Sequence, residues 1–341
     1  MEDCWVAHDS VVRSIIGKLY FQGDMRPIVV DMKHTKPRVS IGIPVFNGED
    51  YLAIAINSCL EQTFTQFEIV ISDNASTDGT ERICREYAAR DNRIRYFRAN
   101  VNKGAAWNFR RVFELARGDF FMWACYDDLF AKEYVERCLK ILETQPSVVL
   151  CYSRTVLIDG NGQRINLYRD KFALNSAKPS ARFCEIVEKL ELCNVLYGLM
   201  RSRVLALTPV HGNYVASDIP LLAELALHGQ FYEIPEYLFY RRIHPKGSAQ
   251  ANPTLTELAL HYDPSRKLKP VLRTWRHFFE YLRAIGRVRM PGGEKIRCLS
   301  HMMKWFSWRR ISLVEELATW TKWFMKTHTP IKLNKGFFEA E

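Results

Sequence analysis

The chain has 341 residues, 48% of them hydrophobic, nine cysteines and a formal net charge of +10. That content builds a sizeable core in one large domain or one domain with an appendage, and no uncharged apolar run reaches the ~18 residues of a membrane-spanning helix. Cys4, Cys59, Cys84, Cys125, Cys138, Cys151, Cys184, Cys193 and Cys298 stand singly without a CxxC pair, which argues for reduced thiols in a cytoplasmic setting and against a zinc site.

Residues 1–37 show no clear period and no secretory leader, and read as a loosely structured lead-in. The folded domain opens with an apolar strand, Arg38 to Asn47, stopped by Pro44 and Asn47. Leu52, Ala55, Ile56, Cys59 and Leu60 follow at helical spacing. Phe67, Ile69, Val70 and Ile71 then make a nearly continuous apolar run, as expected of a parallel strand buried on both faces. It ends in Asp73-Asn74-Ala75-Ser76-Thr77-Asp78-Gly79-Thr80, with a helix from Glu81 to Arg90 behind it. Ser76, Thr77 and Asp78 are candidate N-caps. A carboxylate at the carboxyl end of such a strand points into the crevice where open α/β sheets bind ligands, so Asp73 is placed to accept hydrogen bonds from a base or ribose. The plain alternative is an Asp/Asn-rich turn that only caps the helix.

Arg95–Phe97 reads as a short strand, Ala105–Arg117 as a helix, Phe120–Ala124 as a strand, Lys132–Glu143 as a helix and Val148–Ile158 as a strand. This alternation predicts a doubly wound, mostly parallel sheet. Beyond the Gly160-Asn161-Gly162 turn, residues 163–180 read as an irregular loop and Arg182–Leu192 as a helix. Val195–Met200 is expected as a strand, Asp218–His228 as a helix, and Gln230–Arg242 as two short strands broken at Pro235. Asp127 and Asp128 close the fourth strand. Adjacent carboxylates without a His or Cys companion favour Mg²⁺ or Mn²⁺ bridged to a diphosphate, against the alternative of a solvated turn opening a helix. Arg241 and Arg242 suit bidentate phosphate contact or an ordinary surface ion pair.

Five blocks together resemble the family 2 glycosyltransferases with the GT-A, Rossmann-like fold. They are Ile43-Pro44-Val45-Phe46-Asn47, Ser72 to Thr80, Asn102-Lys103-Gly104 with Asn108, Asp127-Asp128, and the stretch from Ser217-Asp218 to Arg241-Arg242-Ile243-His244-Pro245. The resemblance spans roughly residues 38–250 and implies an inverting sugar transfer from a nucleotide-diphosphate donor, a UDP-sugar above all, to a saccharide or lipid-linked acceptor hydroxyl. By that analogy Pro44, Phe46 and Asp73 surround the uridine-like base, and Asn47, Asn74, Asn102, Gly104 and Asn108 border the donor. Asp127, Asp128 and His244 hold Mn²⁺ or Mg²⁺ on the diphosphate. Asp218, which opens the helix after Ser217, is the expected base, with an N-cap role as its alternative and Glu224 or Glu233 as substitutes. One departure stands out: the family's Asp-x-Asp has Cys125 in its first position here. Rival readings are a nucleotidyltransferase, which would want a Gly-rich basic loop after the first strand, and a non-catalytic, membrane-associated protein of the same fold.

Residues 251–341 read as a helical extension. From residue 266 on it holds seventeen Lys/Arg against six Asp/Glu and five of the eight tryptophans. Val271, Trp275, Phe278, Leu282 and Ile285 form one stripe, with Arg273, Arg276, Arg283 and Arg287 off it. Ile296, Leu299, Met302, Met303 and Phe306 form a second, and Leu313, Leu317, Trp320 and Phe324 a third. Basic amphipathic helices with edge tryptophans suit peripheral placement on an anionic membrane surface, or a helical appendage packed on the domain. No base-reading motif supports nucleic acid as a partner.

Overall fold

The computed structural model describes residues 36–267 and 269–328, so nearly all of the expected lead-in, and residues 329–341, lie outside the described residues. The first half alternates strand and helix as the apolar runs require: β1 (Val39–Val45), α1 (Leu52–Leu60), β2 (Phe67–Asp73), α2 (Thr80–Arg90), β3 (Ile94–Arg98), α3 (Ala105–Leu115) and β4 (Phe120–Trp123). There follow β5 (Leu129–Phe130), α4 (Tyr134–Thr144), β6 (Val148–Ile158), β7 (Arg164–Tyr168), α5 (Pro179–Lys189), β8 (Leu199–Arg201), α6 (Ser202–Leu205), α7 (Asp218–His228) and β9 (Gln230–Arg242). The sheet runs β3-β2-β1-β4-β8-β6-β9-β5, with β7 beside β6. Pairing is parallel across β3-β2-β1-β4 and between β6 and β9. It is antiparallel where β8 joins the two halves and along β5 and β7.

Every residue of β1 and β2 is buried, because both faces of the sheet are covered. One cluster packs Val39, Ile41, Ile43, Ile69 and Ile71 under Leu52 and Ile56 of α1, Cys84 of α2 and Val135 and Leu139 of α4. The opposite cluster packs Val70, Phe121 and Trp123 under Val112 of α3, Phe183 of α5 and Leu222 of α7.

The second half departs from the sequence reading in three places. Residues 163–180 are not all loop: β7 forms an antiparallel hairpin with β6, mostly exposed and therefore without an apolar face to betray it. Where a strand is expected at Val195–Met200, a 3-10 turn (Cys193–Tyr197) precedes the three-residue β8. Gln230–Arg242 is one strand, not two. Its register steps from Ser153↔Ile234 to Arg154↔Tyr237, which leaves Pro235, lacking an N–H, in the bulge.

The C-terminal part forms α8 (Ser248–Ala251), α9 (Leu255–Tyr262), α10 (Arg273–Arg287) and α11 (Gly292–His328). Thr254 and Glu257 make a reciprocal capping box at the start of α9. Tyr281, Ala284 and Ile285 of α10 and Cys298, Met302 and Trp305 of α11 join the cluster that holds Phe183 and Leu222. Arg287 donates two 2.8 Å hydrogen bonds to buried Glu224 of α7, and Ser180 N donates to Glu294 Oε2 at 2.9 Å. No break in packing falls at residue 250, and the compact unit begins at Pro37. Two expected stripes are corrected. In the second Met302 is buried, but Ile296, Leu299 and Met303 are exposed, and Cys298 and Trp305 take their place inside. In the third Leu313 is buried, but Leu317 and Phe324 are exposed. Helix α11 is apolar on two sides, so period alone did not say which side faces the core.

Candidate active site

The β1–α1 loop is laced to the Asp73–Thr80 block. Asn47 N donates to Ser76 Oγ at 2.9 Å, Gly48 N to Thr80 Oγ1 at 2.8 Å, and Thr77 N to Asn47 Oδ1 at 2.8 Å. Asn47 sits at φ 52°, a conformation asparagine tolerates better than most residues. Gly79 rather than Ser76, Thr77 or Asp78 caps α2, although Asp78 Oδ1 accepts from Thr80 N at 3.0 Å.

Asp73 is completely buried. Its Oδ1 accepts from Ser76 N at 2.8 Å, and its Oδ2 accepts from Tyr96 Oη at 2.9 Å and Arg98 Nη1 at 2.5 Å. Arg98 stands opposite Asp73 in the parallel β2–β3 register and is about a third exposed, so the group that reaches the crevice from this pair is the guanidinium. Asn74 donates to Asn102 Oδ1 and accepts from Lys103 N, both at 2.9 Å. Asn108 donates to Val45 O and Ser72 O, stitching the ends of β1 and β2. Pro44, Asn74 and Asn108 are buried, while Phe46, Asn47 and Asn102 are exposed at the rim. Gly104, at φ 86°, has Tyr262 O so close that a Cβ would meet it at 2.2 Å, which lays the end of α9 against the start of α3.

Across the crevice, the two-residue β5 pairs with the end of β9 (Leu129↔Tyr240) and so sets Asp127-Asp128 beside Arg241-Arg242. Side-chain ligand atoms of Cys125, Asp127 and Asp128 lie within 4.8 Å of one another. Asp128 Oδ1 accepts from Arg242 N at 2.8 Å, and burial together with the Asp127 charge holds its carboxyl well above the usual carboxylate range. Contrary to the sequence reading, the carboxylates have companions: the Cys125 thiol and His244 lie beside them. Burial pushes the thiol up and keeps it neutral, so the two crowded carboxyls offer the hard oxygens that fit Mg²⁺ or Mn²⁺. His244 Nε2 lies 2.9 Å from Asp127 Oδ2, with the ring edge-on to Tyr51. It therefore orients Asp127, and reaching a metal directly would require this contact to break.

The two arginines differ. Arg242 donates to Asp127 O, Asp159 O and Gly160 O and stacks 4.6 Å over Tyr51, a buried brace that ties the acidic loop to the β6–β7 turn. Arg241 donates from Nη1 to Asn194 Oδ1 at 2.7 Å and lies among Tyr197, Asp128, Cys125 and Cys193. Asn194 is 3% exposed, and its Nδ2 has no partner among the described residues. Cys125 Sγ lies 3.2 Å from Tyr197 Oη.

Asp218 is the first residue of α7, one position after the N-cap Ser217, and makes no cap bond. Its Oδ1 is buried without a partner among the described residues. Its charge is felt by Cys193, His211, Tyr262 and His277, which surround it. His211, whose Nδ1 is 3.1 Å from Ser217 Oγ, is pushed down to about 4 by burial and stays neutral. The loop leading in holds Val210 at φ 57° and Ala216 at φ 56°, a strained backbone such as often surrounds functional groups. The substitute bases are spoken for: Glu224 is paired with Arg287, and Glu233 with Arg154 and Arg169.

Residues that sequence reasoning missed are Arg98, Asn194, Tyr197 and Tyr262. Only Arg98 carried a usable signal, since it ends the strand next to the one Asp73 ends.

Residues 40–195 match the family described as Glycosyl transferase family 2. An uncharacterized glycosyltransferase of Rickettsia typhi is 29% identical over 199 residues, 58% of this chain and 57% of that protein. The putative teichuronic acid biosynthesis glycosyltransferase TuaG of Bacillus subtilis is 33% identical over 111 residues, 33% of this chain and 44% of that one. The chain thus spans about half the length of these curated relatives. Among solved structures, S. aureus TarS 1–349 in complex with UDP-GlcNAc superposes with a TM-score of 0.60 at 18% identity, covering 84% of this chain and 79% of that one, a likeness in fold. The Asp73–Thr80 block and the Asp127-Asp128 pair both lie inside the segment that matches the Glycosyl transferase family 2 model.

Proposed function

We propose that the protein is an inverting glycosyltransferase, moving a sugar from a nucleoside-diphosphate donor to an acceptor hydroxyl in the making of a polysaccharide or glycolipid. The observation that carries this reading is the pairing of the Asp127-Asp128 site with the unpartnered Asp218 oxygen, the Arg241–Asn194 bridge being electrostatically coupled to the first and the Cys193 turn to the second. The donor would lie along the β1–β4 edge with its base near Phe46, Asn47 and the Asp73–Arg98 pair. Pro44, Asn74, Asn102, Gly104 and Asn108 shape that wall. Asp127 and Asp128, with His244 steadying Asp127, would hold Mn²⁺ or Mg²⁺, which supplies positive charge against the leaving diphosphate.

In the reaction the acceptor oxygen bonds to the anomeric carbon as the carbon–oxygen bond to the diphosphate breaks, and the hydroxyl proton passes to Asp218. A single displacement with the base on the face opposite the leaving group inverts the anomeric centre. Arg241 carries fixed charge beside the metal site and donates to Asn194, whose free amide N–H suits a sugar oxygen. A uridine donor is favoured because the TarS fold relative is a UDP-GlcNAc complex. The acceptor is a saccharide or a lipid-linked saccharide.

The test is to incubate the protein with Mn²⁺ and a panel of nucleoside-diphosphate sugars and to measure free nucleoside diphosphate. Metal-dependent release from at least one donor is expected. Donor binding with no release or transfer, across acceptors, would favour a non-catalytic member of the fold.

A further inference from the structure

The side of α11 turned away from the core is apolar as well. Ile296, Leu299, Met303, Ile311, Val314 and Leu317 are all exposed, Ile296 and Val314 at 65% and Met303 at 68%. At 3.6 residues per turn these six fall within an arc of about 120°, opposite the arc that buries Cys298, Met302 and Trp305. Leu299 and Leu317, the least exposed of the six, still keep 44% and 43% of their surface open. Solvent-facing positions of a surface helix are normally polar, so a contiguous stripe along several turns marks a binding face.

The charges beside the stripe say what the face meets. Lys295, Arg297, Lys304, Arg310, Lys322 and Lys326 lie on α11, whereas of its three acids Glu294 is buried against Ser180 N and Glu316 accepts from Thr274 N and Trp275 N at the start of α10. Glu315 alone of the three is exposed. A second copy docking through this face would set cation against cation. An anionic surface would complement it, and no described helix is long and apolar enough to cross a bilayer, so the helix would lie flat in the interface.

We propose that the outer face of α11, through Ile296, Leu299, Met303, Ile311, Val314 and Leu317 and their flanking lysines, docks the protein on an anionic lipid surface. This extends the sugar-transfer reading by naming the surface on which a lipid-linked acceptor lies, and vesicle binding is scored without donor, so either idea fails on its own.

The experiment is cosedimentation of the full chain with phosphatidylcholine vesicles containing about one-third phosphatidylglycerol, against pure phosphatidylcholine. Binding is expected to the anionic vesicles alone, falling about tenfold or more between low and high salt as surface charge is screened. The triple variant I296E/M303E/V314E should lose binding by at least about tenfold with an unchanged melting temperature, because these side chains are about two-thirds exposed. Lys295→Gln with Lys304→Gln and Lys322→Gln, which leaves the apolar stripe intact, should flatten the salt dependence. Failure to bind anionic vesicles at low salt would overturn the proposal. So would a dimer in sedimentation equilibrium that the triple variant converts to monomer, since the face would then belong to a second copy.

Discussion

Asp218 has one carboxylate oxygen without a partner at the mouth of α7, while Glu224 and Glu233, the nearest substitutes, are held in ion pairs. A general base has to be free to take a proton, and only Asp218 of the three is. Asp218→Asn keeps the shape and removes no capping bond, since the start of α7 carries no side-chain cap. Sugar transfer should fall by about 10²–10⁴-fold with donor affinity and stability near parental, read by product formation alongside donor titration. Transfer within tenfold of the parent would remove Asp218 from the chemistry. Asp127 offers the complementary measurement. Asp127→Asn should weaken donor binding when Mn²⁺ is present and leave metal-free binding unchanged, because only the charge that holds the ion is lost. Equal donor affinity at saturating Mn²⁺ would place the metal elsewhere.

The loop after β7 carries a buried titrating group, Asp170, whose Oδ1 accepts from Tyr168 Oη at 3.5 Å. Burial, with a contribution from Glu233 on β9, pushes Asp170 from 3.8 up to about 7. As pH rises, the unfolded carboxyl gives up its proton first, so stability falls across the window from about pH 4 to about pH 7 and stays reduced above it. Asp170→Asn, which mimics the protonated form, should therefore stabilise by about 2–4 kcal/mol at about pH 8 and by little near pH 4, measured by urea denaturation. The same stretch shows where sequence reading stops. β1, β2 and β4 announce themselves as apolar runs because both their faces are covered, and Asp73 follows as a strand end. Asp127 and Asp128, expected to close the fourth strand, lie instead in the turn between β4 and β5. β7 has almost no buried face, β5 is two residues long, and β9 hides its continuity behind a bulged Pro235. The burial of Asp73 behind Arg98, and the meeting of Arg241 with Asn194, are products of strand order, which no local pattern encodes.

At the scale of the molecule, α10 and α11 close the core instead of trailing from it. Removing residues 292–328 would uncover Phe183 and Tyr281 by stripping away Cys298, Met302 and Trp305. Such a chain should lose cooperative melting and bind a hydrophobic dye. A chain ending near residue 320 keeps Leu313, which accepts from Trp275 Nε1, and Glu316, which accepts from Thr274 N, and should melt within a few degrees of the parent. If the shorter chain melts normally, the packing of α11 is dispensable. Closure this late in the sequence also sets an order in time. The face of the sheet under α1, α2 and α4 is complete once Phe239 has been made, but the face under α5 and α7 waits for Trp305. During synthesis the β1–β4 edge can therefore consolidate while α7, which carries Asp218, still lies on an unfinished surface. Pulse-labelled hydrogen exchange during refolding should find β1, β2 and β4 protected ahead of α7, so that the proposed donor wall is built before the helix that holds Asp218.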